Sequence, residues 1–143
     1  MSDPAKTRVS VIPGMRYQNA PAAIDWLCKA FGFEKQLVVP GEGEGVIAHA
    51  QLRFGNGMIM LGTAGGHGGG FDELMTTPSE IGGRETQSAY VIVEDVDGHH
   101  DHAVAAGAEI VLALEDKDYG GRGYSCRDPE GHLWSFGSYD PFA

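Results

Sequence analysis

The chain has 143 residues, a formal net charge of −10 at pH 7 and a pI near 4.8. This acidity argues against nucleic acid or a membrane surface as partners, because both require a basic footprint. No apolar run approaches the roughly 20 residues of a membrane helix, and the polar start MSDPAKTR does not resemble a signal peptide. Cys28 and Cys126 are expected to be reduced thiols inside regular elements. We therefore expect one cytoplasmic domain, residues 1–143.

The first predicted helix covers residues 20–31. Apolar residues recur at i, i+3, i+4 and i+7 from Ile24, which predicts a single apolar stripe. Asn19 is the expected N-cap and Gly32 is placed to end the helix. Strands are predicted on both sides, in the segments VSVIPGMRY, EKQLVV, VIAHAQLRF and MIMLG. The last two are joined by Gly55-Asn56-Gly57, a hairpin turn, so the order is β-α-β-β-β.

The second half of the chain repeats this pattern. SAYVIVE predicts a strand, Asp95 caps a helix that runs to Gly107, and EIVLAL predicts the next strand. A final hairpin follows in RDPEGHLWSF, which can be laid over RFGNGMIML of the first half. Matched caps, helix ends and hairpins at a nearly constant offset indicate an internal duplication.

These matches define two modules and the segment between them. Module one is predicted at residues 7–62 and module two at 87–140. Residues 63–86 are rich in glycine and unusually long for a connection in a compact domain. They are interpreted either as a flexible linker or as a lid over a pocket. The lid interpretation assigns apolar contacts to Phe71, Leu74 and Met75.

The last hairpin divides its residues between two faces. Asp128-Pro129-Glu130-Gly131 predicts a tight turn, because Pro129 fixes φ and Gly131 closes the turn. In the strand that follows, alternation separates Leu133, Ser135 and Gly137 from His132, Trp134 and Phe136. Trp134 and Phe136 are predicted to pack in the core, whereas Leu133 and Ser135 are predicted to line a pocket, and His132 is assigned no role.

At this point the chain resembles a known family. The duplicated modules, the helix AIDWLCKAFGF and the hairpin DPEGHLWSF resemble the vicinal-oxygen-chelate superfamily, which includes glyoxalase I, extradiol dioxygenases and bleomycin-resistance proteins. HAQLRFGNGMIMLG is similar to small bacterial glyoxalase-like proteins of unassigned function. The resemblance implies an α+β fold: two tandem β-α-β-β-β modules that form a half-open, cup-shaped mixed sheet with the helices outside. It also implies a homodimer.

The resemblance further implies where a metal would be bound. Metal-dependent members carry one ligand, mostly His or Glu, on each of four strands. By position these ligands fall at Ile12, at Met60 or Leu61, at Ser88 and at Ser135. Aliphatic, thioether and hydroxyl groups are not the donors that such divalent metals need. We therefore expect no metal and no cofactor.

The candidate ligand-binding residues are those predicted to point into the cup. His49 is the candidate acid–base, although a single imidazole is also explained by a hydrogen bond within the sheet. The nine candidates are Arg16, His49, Gln51, Arg53, Ser88, Tyr90, Ser125, Leu133 and Ser135.

The histidines at the start of the second helix have weaker functional signals. His99 and His102 at i and i+3 are compatible with a weak surface metal site, but a solvated helix start is the preferred interpretation. His100 is expected to be partly buried where Ile24 lies in the first module.

The sequence therefore predicts a metal-free protein that binds a small organic molecule, for example to sequester an antibiotic or a metabolite. The acidic surface favours a cationic ligand, whereas the arginines of the cup favour an anionic one, so the charge of the ligand stays open. One alternative is a glyoxalase-like lyase or isomerase that uses His49 as acid–base. Another is a dimeric interaction module with a vestigial pocket.

Overall fold

The computed structural model describes residues 9–65 and 70–143. The chain divides into two compact units, Met1–Thr77 and Pro78–Ala143, and each is described by itself. The strands and helices of the first unit are β1 (Gly14–Tyr17), α1 (Ala20–Phe31), β2 (Glu34–Pro40), β3 (Ile47–Phe54), β4 (Gly57–Thr63) and the short α2 (Gly70–Leu74). Those of the second unit are a 3₁₀ turn (Pro78–Ile81), β5 (Ala89–Ile92), α3 (Val96–Ala105), β6 (Glu109–Asp116), β7 (Arg122–Arg127) and β8 (Leu133–Gly137).

Helix α1 begins and ends as the sequence predicts. The side chain of Asn19 accepts a hydrogen bond from the backbone N–H of Ala22 at 3.3 Å, which satisfies one free donor of the first turn. Gly32 follows the helix with φ +89°, a left-handed conformation that suits glycine. Ile24 and Leu27 are buried, so the predicted apolar stripe is the face that packs on the sheet.

The first sheet has the order β1-β4-β3-β2. Strand β1 runs parallel to β4, and the other neighbouring pairs are antiparallel. Helix α1 contacts all four strands. The buried residues of β3 and β4 on the face towards the helix are Ala50, Leu52, Ile59 and Leu61. Asp25 of α1 also lies 3.2 Å from Lys35, whose strand partner is Leu52, so the helix covers this face.

The second sheet has the corresponding order, β5-β8-β7-β6, and again one parallel pair. The Asp95 side chain caps α3 by accepting a hydrogen bond from the Gly98 N–H at 3.0 Å. Trp134 and Phe136 are completely buried, which confirms their predicted place in the core. Both units thus have the α+β arrangement predicted from the sequence, with two tandem modules and mixed sheets that are not closed.

A buried polar network holds the turn between β7 and β8. Asp128 is 4% exposed and accepts hydrogen bonds from the backbone N–H groups of Glu130 and His132 and from the Trp134 indole at 3.1 Å. The Gly131 N–H donates to the Asp128 carbonyl at 2.9 Å, which closes the predicted turn. The carboxylate therefore ties the turn to the largest core side chain.

A second buried contact joins this hairpin to the segment before β5. One Glu85 oxygen lies 2.6 Å from Nδ1 of His132, and the other accepts the Leu133 N–H at 2.7 Å. Both side chains are largely removed from solvent. His132 is thus part of the framework of the second unit, a role that was not predicted.

Two expectations about local structure need correction. Strand β1 starts at Gly14, because the chain before it makes no continuous ladder with β4. The start of α3 is not simply solvated, because His99 and His100 both pack against Tyr124. The segment interpreted as a linker or a lid contains α2 and the 3₁₀ turn, and its residues 66–69 lie outside the described residues.

Within the described residues, no helix is long and apolar enough to cross a membrane.

Candidate functional site

The face of the first sheet opposite α1 carries a line of hydrogen-bonding side chains. We call it the open face of the first sheet. Nε2 of His49 lies 2.7 Å from the Gln51 side-chain oxygen, and the Gln51 amide donates to the Gln36 side-chain oxygen at 2.6 Å. Because a carbonyl oxygen only accepts, the His49 ring donates from Nε2 in this contact. The open face therefore offers neutral donors and acceptors in a fixed order.

A β-bulge brings Gln36 into this line. The pairing of β2 with β3 shifts between Lys35 and Leu37, so Gln36 and Leu37 together oppose Gln51. The bulge is not visible in the alternation of the sequence, and Gln36 was accordingly not among the predicted site residues.

Two thioethers lie on the same face. Met60 is the strand partner of Gln51, and Met58 is the partner of Arg53, so their side chains lie beside the polar line. Both are partly buried. Thioethers are polarizable and adaptable, and they suit contact with an organic ligand of irregular shape.

The two predicted arginines of this sheet differ in their surroundings. Arg53 forms an exposed ion pair with Glu34 at 2.8 Å, so a carboxylate already compensates its charge. Arg16 on β1 donates to the Met15 carbonyl at 3.3 Å, and its guanidinium carbon lies 6.0 Å from the centre of the Phe71 ring. The short helix α2 thus lies near Arg16 at one end of the open face, with Phe71 and Leu74 largely exposed.

The open face of the second sheet is smaller and less charged. The hydroxyls of Ser125 and Ser135 lie 2.7 Å apart on neighbouring strands. Tyr90 is the β5 partner of Ser135, and its hydroxyl donates to the Tyr139 carbonyl at 2.7 Å. Leu133 lies on the same face, two residues before Ser135. Ser88 precedes β5 and is exposed.

Arg127, at the end of β7 in the second sheet, has a structural role. Arg127 donates from one guanidinium nitrogen to the carbonyls of Gly83 and Gly131, at 2.7 and 2.9 Å. Its Nε also lies 3.7 Å from Glu109. A groove of about 490 Å³ is lined by this arginine and the surrounding turns, but it includes none of the nine predicted ligand-binding residues. We therefore place the candidate site on the open faces.

The four positions to which the family resemblance assigns metal ligands do not carry side chains that fit a metal. The register places Gly14 opposite Met60 and Tyr90 opposite Ser135, whereas Ile12 and Ser88 lie just before their strands. None of these side chains is an imidazole or a carboxylate. Among residues 9–65 and 70–143 there is no group of three or more His, Cys, Asp or Glu side chains arranged to hold a metal ion.

The geometry also does not support a weak metal site on α3, which was the less favoured interpretation of His99 and His102. Nδ1 of His99 lies 2.7 Å from the Tyr124 hydroxyl, and the His99 ring packs 4.3 Å from that of Phe136. This imidazole therefore faces the core, whereas His102 is exposed. His100 packs edge-on against Tyr124 and is partly buried, as expected.

The two units together define a class of protein: tandem α+β modules, each with one covered and one open sheet face. A family model described as the Glyoxalase/Bleomycin resistance protein/Dioxygenase superfamily matches residues 11–136. The chain belongs to this superfamily, as the sequence resemblance implied.

Individual relatives fit this assignment. The uncharacterized protein Mb0911c of Mycobacterium bovis is 36% identical over 125 residues, which are 87% of this chain and 80% of that protein. The crystal structure of TioX from Micromonospora sp. ML1 has a TM-score of 0.70 and 36% identity, and covers 90% of this chain and 97% of its own.

A more distant structure shows the fold alone. It is a mutant of the fosfomycin resistance protein FosX from Listeria monocytogenes, complexed with Mn(II) and a dihydroxypropylphosphonic acid. Its TM-score is 0.65 at 14% identity, with 93% of each chain covered.

Proposed function

We propose that this protein binds a small organic molecule on the open faces of its sheets, without a metal, and acts by sequestering it. The observation that carries the proposal is the line His49–Gln51–Gln36 beside the thioethers of Met58 and Met60. A few oriented polar groups within an otherwise adaptable surface are what a binding site for an organic ligand requires.

The surroundings of His49 favour binding over catalysis. A general base is commonly oriented by a carboxylate that stabilises its charged form, as in a catalytic triad. Here the partner of the imidazole is an amide oxygen, at 2.7 Å. The alternative of a glyoxalase-like lyase or isomerase would also lack the metal ligands of that chemistry at Met60 and Ser135. Sequestration requires neither a carboxylate that orients a general base nor a set of metal ligands.

We also propose that the protein is a homodimer. Strand β2 is a sheet edge that exposes Leu37, Val38 and Val39, and the edge strand β6 exposes Leu112. Unpaired edges with apolar side chains need cover in solution. A second copy of the chain related by a two-fold axis is the commonest arrangement that supplies it. Light scattering should report twice the mass of the chain at micromolar concentration, and a monomer there would contradict the proposal.

Two measurements test the binding function. Protein purified without chelator or affinity tag should contain no stoichiometric metal by mass spectrometry. A thermal-shift screen of organic ligands should then identify compounds that raise the melting temperature, because a ligand that binds only the folded state stabilises it. Stoichiometric metal whose removal lowers the melting temperature would overturn the metal-free part of the proposal.

A matched pair of variants places the ligand. Gln51→Leu interrupts the polar line with little change in volume, and should remove most of the shift that a bound ligand causes. Lys29→Ala changes an exposed residue of α1, on the other side of the sheet, and should retain it. A shift that survives in Gln51→Leu would move the site away from the open face of the first sheet.

A further inference from the structure

Three exposed tyrosines meet at one end of the second sheet. Tyr119, in the turn between β6 and β7, packs edge-to-face on Tyr139, with ring centres 5.2 Å apart and planes at 84°. The Tyr90 hydroxyl donates to the Tyr139 carbonyl at 2.7 Å. The three residues are 42%, 60% and 38% exposed for Tyr90, Tyr119 and Tyr139. We call them the tyrosine cluster. Large aromatic side chains held together at a surface indicate a contact site.

Glycines make the close approach of these rings possible. A Cβ atom on Gly137 would lie 2.7 Å from the Tyr90 hydroxyl, so the present position of the phenol over β8 uses the space left by this glycine. Gly121 has φ +73°, and a Cβ there would lie 2.7 Å from the Tyr139 backbone nitrogen. The tyrosine cluster is thus built into the backbone rather than formed by freely moving side chains.

The charges near the tyrosine cluster favour a cation. Asp140 directly follows Tyr139 in the chain and adds a carboxylate next to the tyrosine cluster. Burial raises the pKa of the Tyr90 phenol, Tyr119 and Asp140 act in the same direction, and the hydrogen bond to Tyr139 acts against them. The two cationic side chains near this end of the sheet already form ion pairs with carboxylates. Lys117 lies 3.3 Å from Glu115, and Arg122 lies between Asp97 and Asp116.

We propose that the tyrosine cluster is a binding site for a planar aromatic cation. Aromatic faces carry partial negative charge and attract both flat rings and cations. The net charge of −10 also attracts a cation over a longer range. This inference rests on the proposed binding function and deepens it by naming a ligand class. The predicted arginines that favoured an anion already have partners, since Arg53 pairs with Glu34 and Arg16 donates to the Met15 carbonyl.

The test uses two probes of the same ring size and opposite charge. N-methylacridinium is a tricyclic aromatic cation, and anthracene-9-carboxylate is a tricyclic anion. Fluorescence titration of the full chain should give a Kd for the cation at least tenfold below that for the anion at low ionic strength. Added salt should narrow the difference, because exposed charges are screened.

Variants of Tyr119 locate the probe. Tyr119→Leu removes an aromatic face at an exposed turn and should raise the Kd of N-methylacridinium about three- to fivefold, as expected for one exposed cation–π contact. Tyr119→Phe keeps the face and should change the Kd less than twofold. Asp140→Asn should weaken binding of the cation and should not weaken binding of the anion, because it removes a negative charge. Thermal melting of each variant checks that it is folded.

Three results would overturn the inference: no binding of N-methylacridinium, equal or tighter binding of the anion, or equal affinities of Tyr119→Leu and wild type. They are distinguishable from failure of the proposed function. A ligand whose thermal shift depends on Gln51 would preserve metal-free binding even if the tyrosine cluster bound no cation. Conversely, stoichiometric metal would leave a Tyr119-dependent Kd intact.

Discussion

The two modules have the same strand pairings but divide their core volume in opposite ways. In the first, a helix with the bulky residues Ile24 and Leu27 packs on a sheet. In the second, α3 buries only Val96 and Ala103 as apolar residues, and the sheet supplies the bulk. The registers match the buried sheet residues Ala50, Leu52, Ile59 and Leu61 with Tyr124, Cys126, Trp134 and Phe136.

The same comparison explains where polar groups enter the core. A helix of small residues leaves room for His99, whose ring packs on Phe136 and whose Nδ1 meets the Tyr124 hydroxyl. The indole of Trp134 likewise needs an acceptor, which Asp128 supplies. Large aromatic side chains in a sheet thus bring polar atoms inside, and buried polar atoms require partners. The first module uses aliphatic side chains at these strand positions and does not need them.

The open faces differ in a complementary way. Gly14 and Tyr90 occupy matching positions, opposite Met60 and Ser135 respectively. The first module therefore presents long side chains from β3 and β4, whereas the second presents short serines and one long phenol from β5. The comparison predicts that substitutions at matching positions will have unequal effects on the free energy of unfolding.

The largest expected difference is at Trp134 and its match, Ile59. Trp134→Ala should lower the free energy of unfolding by about 3–5 kcal/mol, because it leaves a large cavity in a completely buried position. It also removes the hydrogen bond to Asp128. Trp134→Phe separates the two effects, since most of the ring volume stays, and should cost about 1–3 kcal/mol.

Denaturant titrations of these variants, with Ile59→Val as the aliphatic control, measure the difference. Ile59→Val removes one methylene from the first core and should cost about 0.5–1.5 kcal/mol. A smaller loss for Trp134→Ala than for Ile59→Val would mean that the aromatic sheet does not supply the bulk of the second core.

A second difference should appear at alkaline pH. Burial raises the pKa of the Cys126 thiol from 9.0 to about 12, with a smaller contribution from Asp128, and burial also raises the pKa of Tyr124. Below pH 9.0 the thiol is protonated in both states, and pH has no effect through it. Above that value the unfolded chain ionises first, so stability falls as pH rises towards about 12, by up to about 1.4 kcal/mol per pH unit for each such group.

The matching positions in the first module, Ala50 and Leu52, carry no ionisable group. Cys126→Ala should therefore flatten the decline in the free energy of unfolding between about pH 9 and about pH 11. Ser125→Ala, a neighbouring change that removes no such thiol, should leave the decline as in wild type. Equal declines in Cys126→Ala and wild type would show that the thiol ionises freely.

Much of this architecture could be predicted because local signals specify it. Asn19 and Gly32 delimit α1, Asp95 caps α3, and strict alternation places Trp134 in the core. The site was predicted less completely. Gln36 joins the open face only through a β-bulge, and Tyr119 reaches Tyr139 only because glycines allow two turns to approach each other. Both depend on long-range backbone geometry that no local pattern encodes.

The compensation of the arginines could not be predicted for the same reason. Arg53 and Arg127 occupy matching positions on β3 and β7, and Arg53 was a predicted ligand-binding residue. Their partners lie far away in the sequence: Glu34 for the first, and the carbonyls of Gly83 and Gly131 for the second. Only the last of these partners is close to its arginine along the chain.

The smallest expected difference concerns these two arginines. Arg53→Ala should change the free energy of unfolding by less than about 1 kcal/mol, because its ion pair with Glu34 is exposed and screened. Arg127→Ala leaves two carbonyls without their donor and should cost more, about 1–3 kcal/mol. Lysine at each position provides the control. A compact ammonium can retain the exposed ion pair with Glu34, but at position 127 it cannot keep both the Nε contact with Glu109 and the two bonds of the terminal nitrogen. Arg53→Lys should therefore behave as wild type in denaturant titrations, and Arg127→Lys should recover only part of the loss. Equal losses for the two alanine variants would mean that Arg127 is as loosely held as Arg53 and is available to a ligand after all.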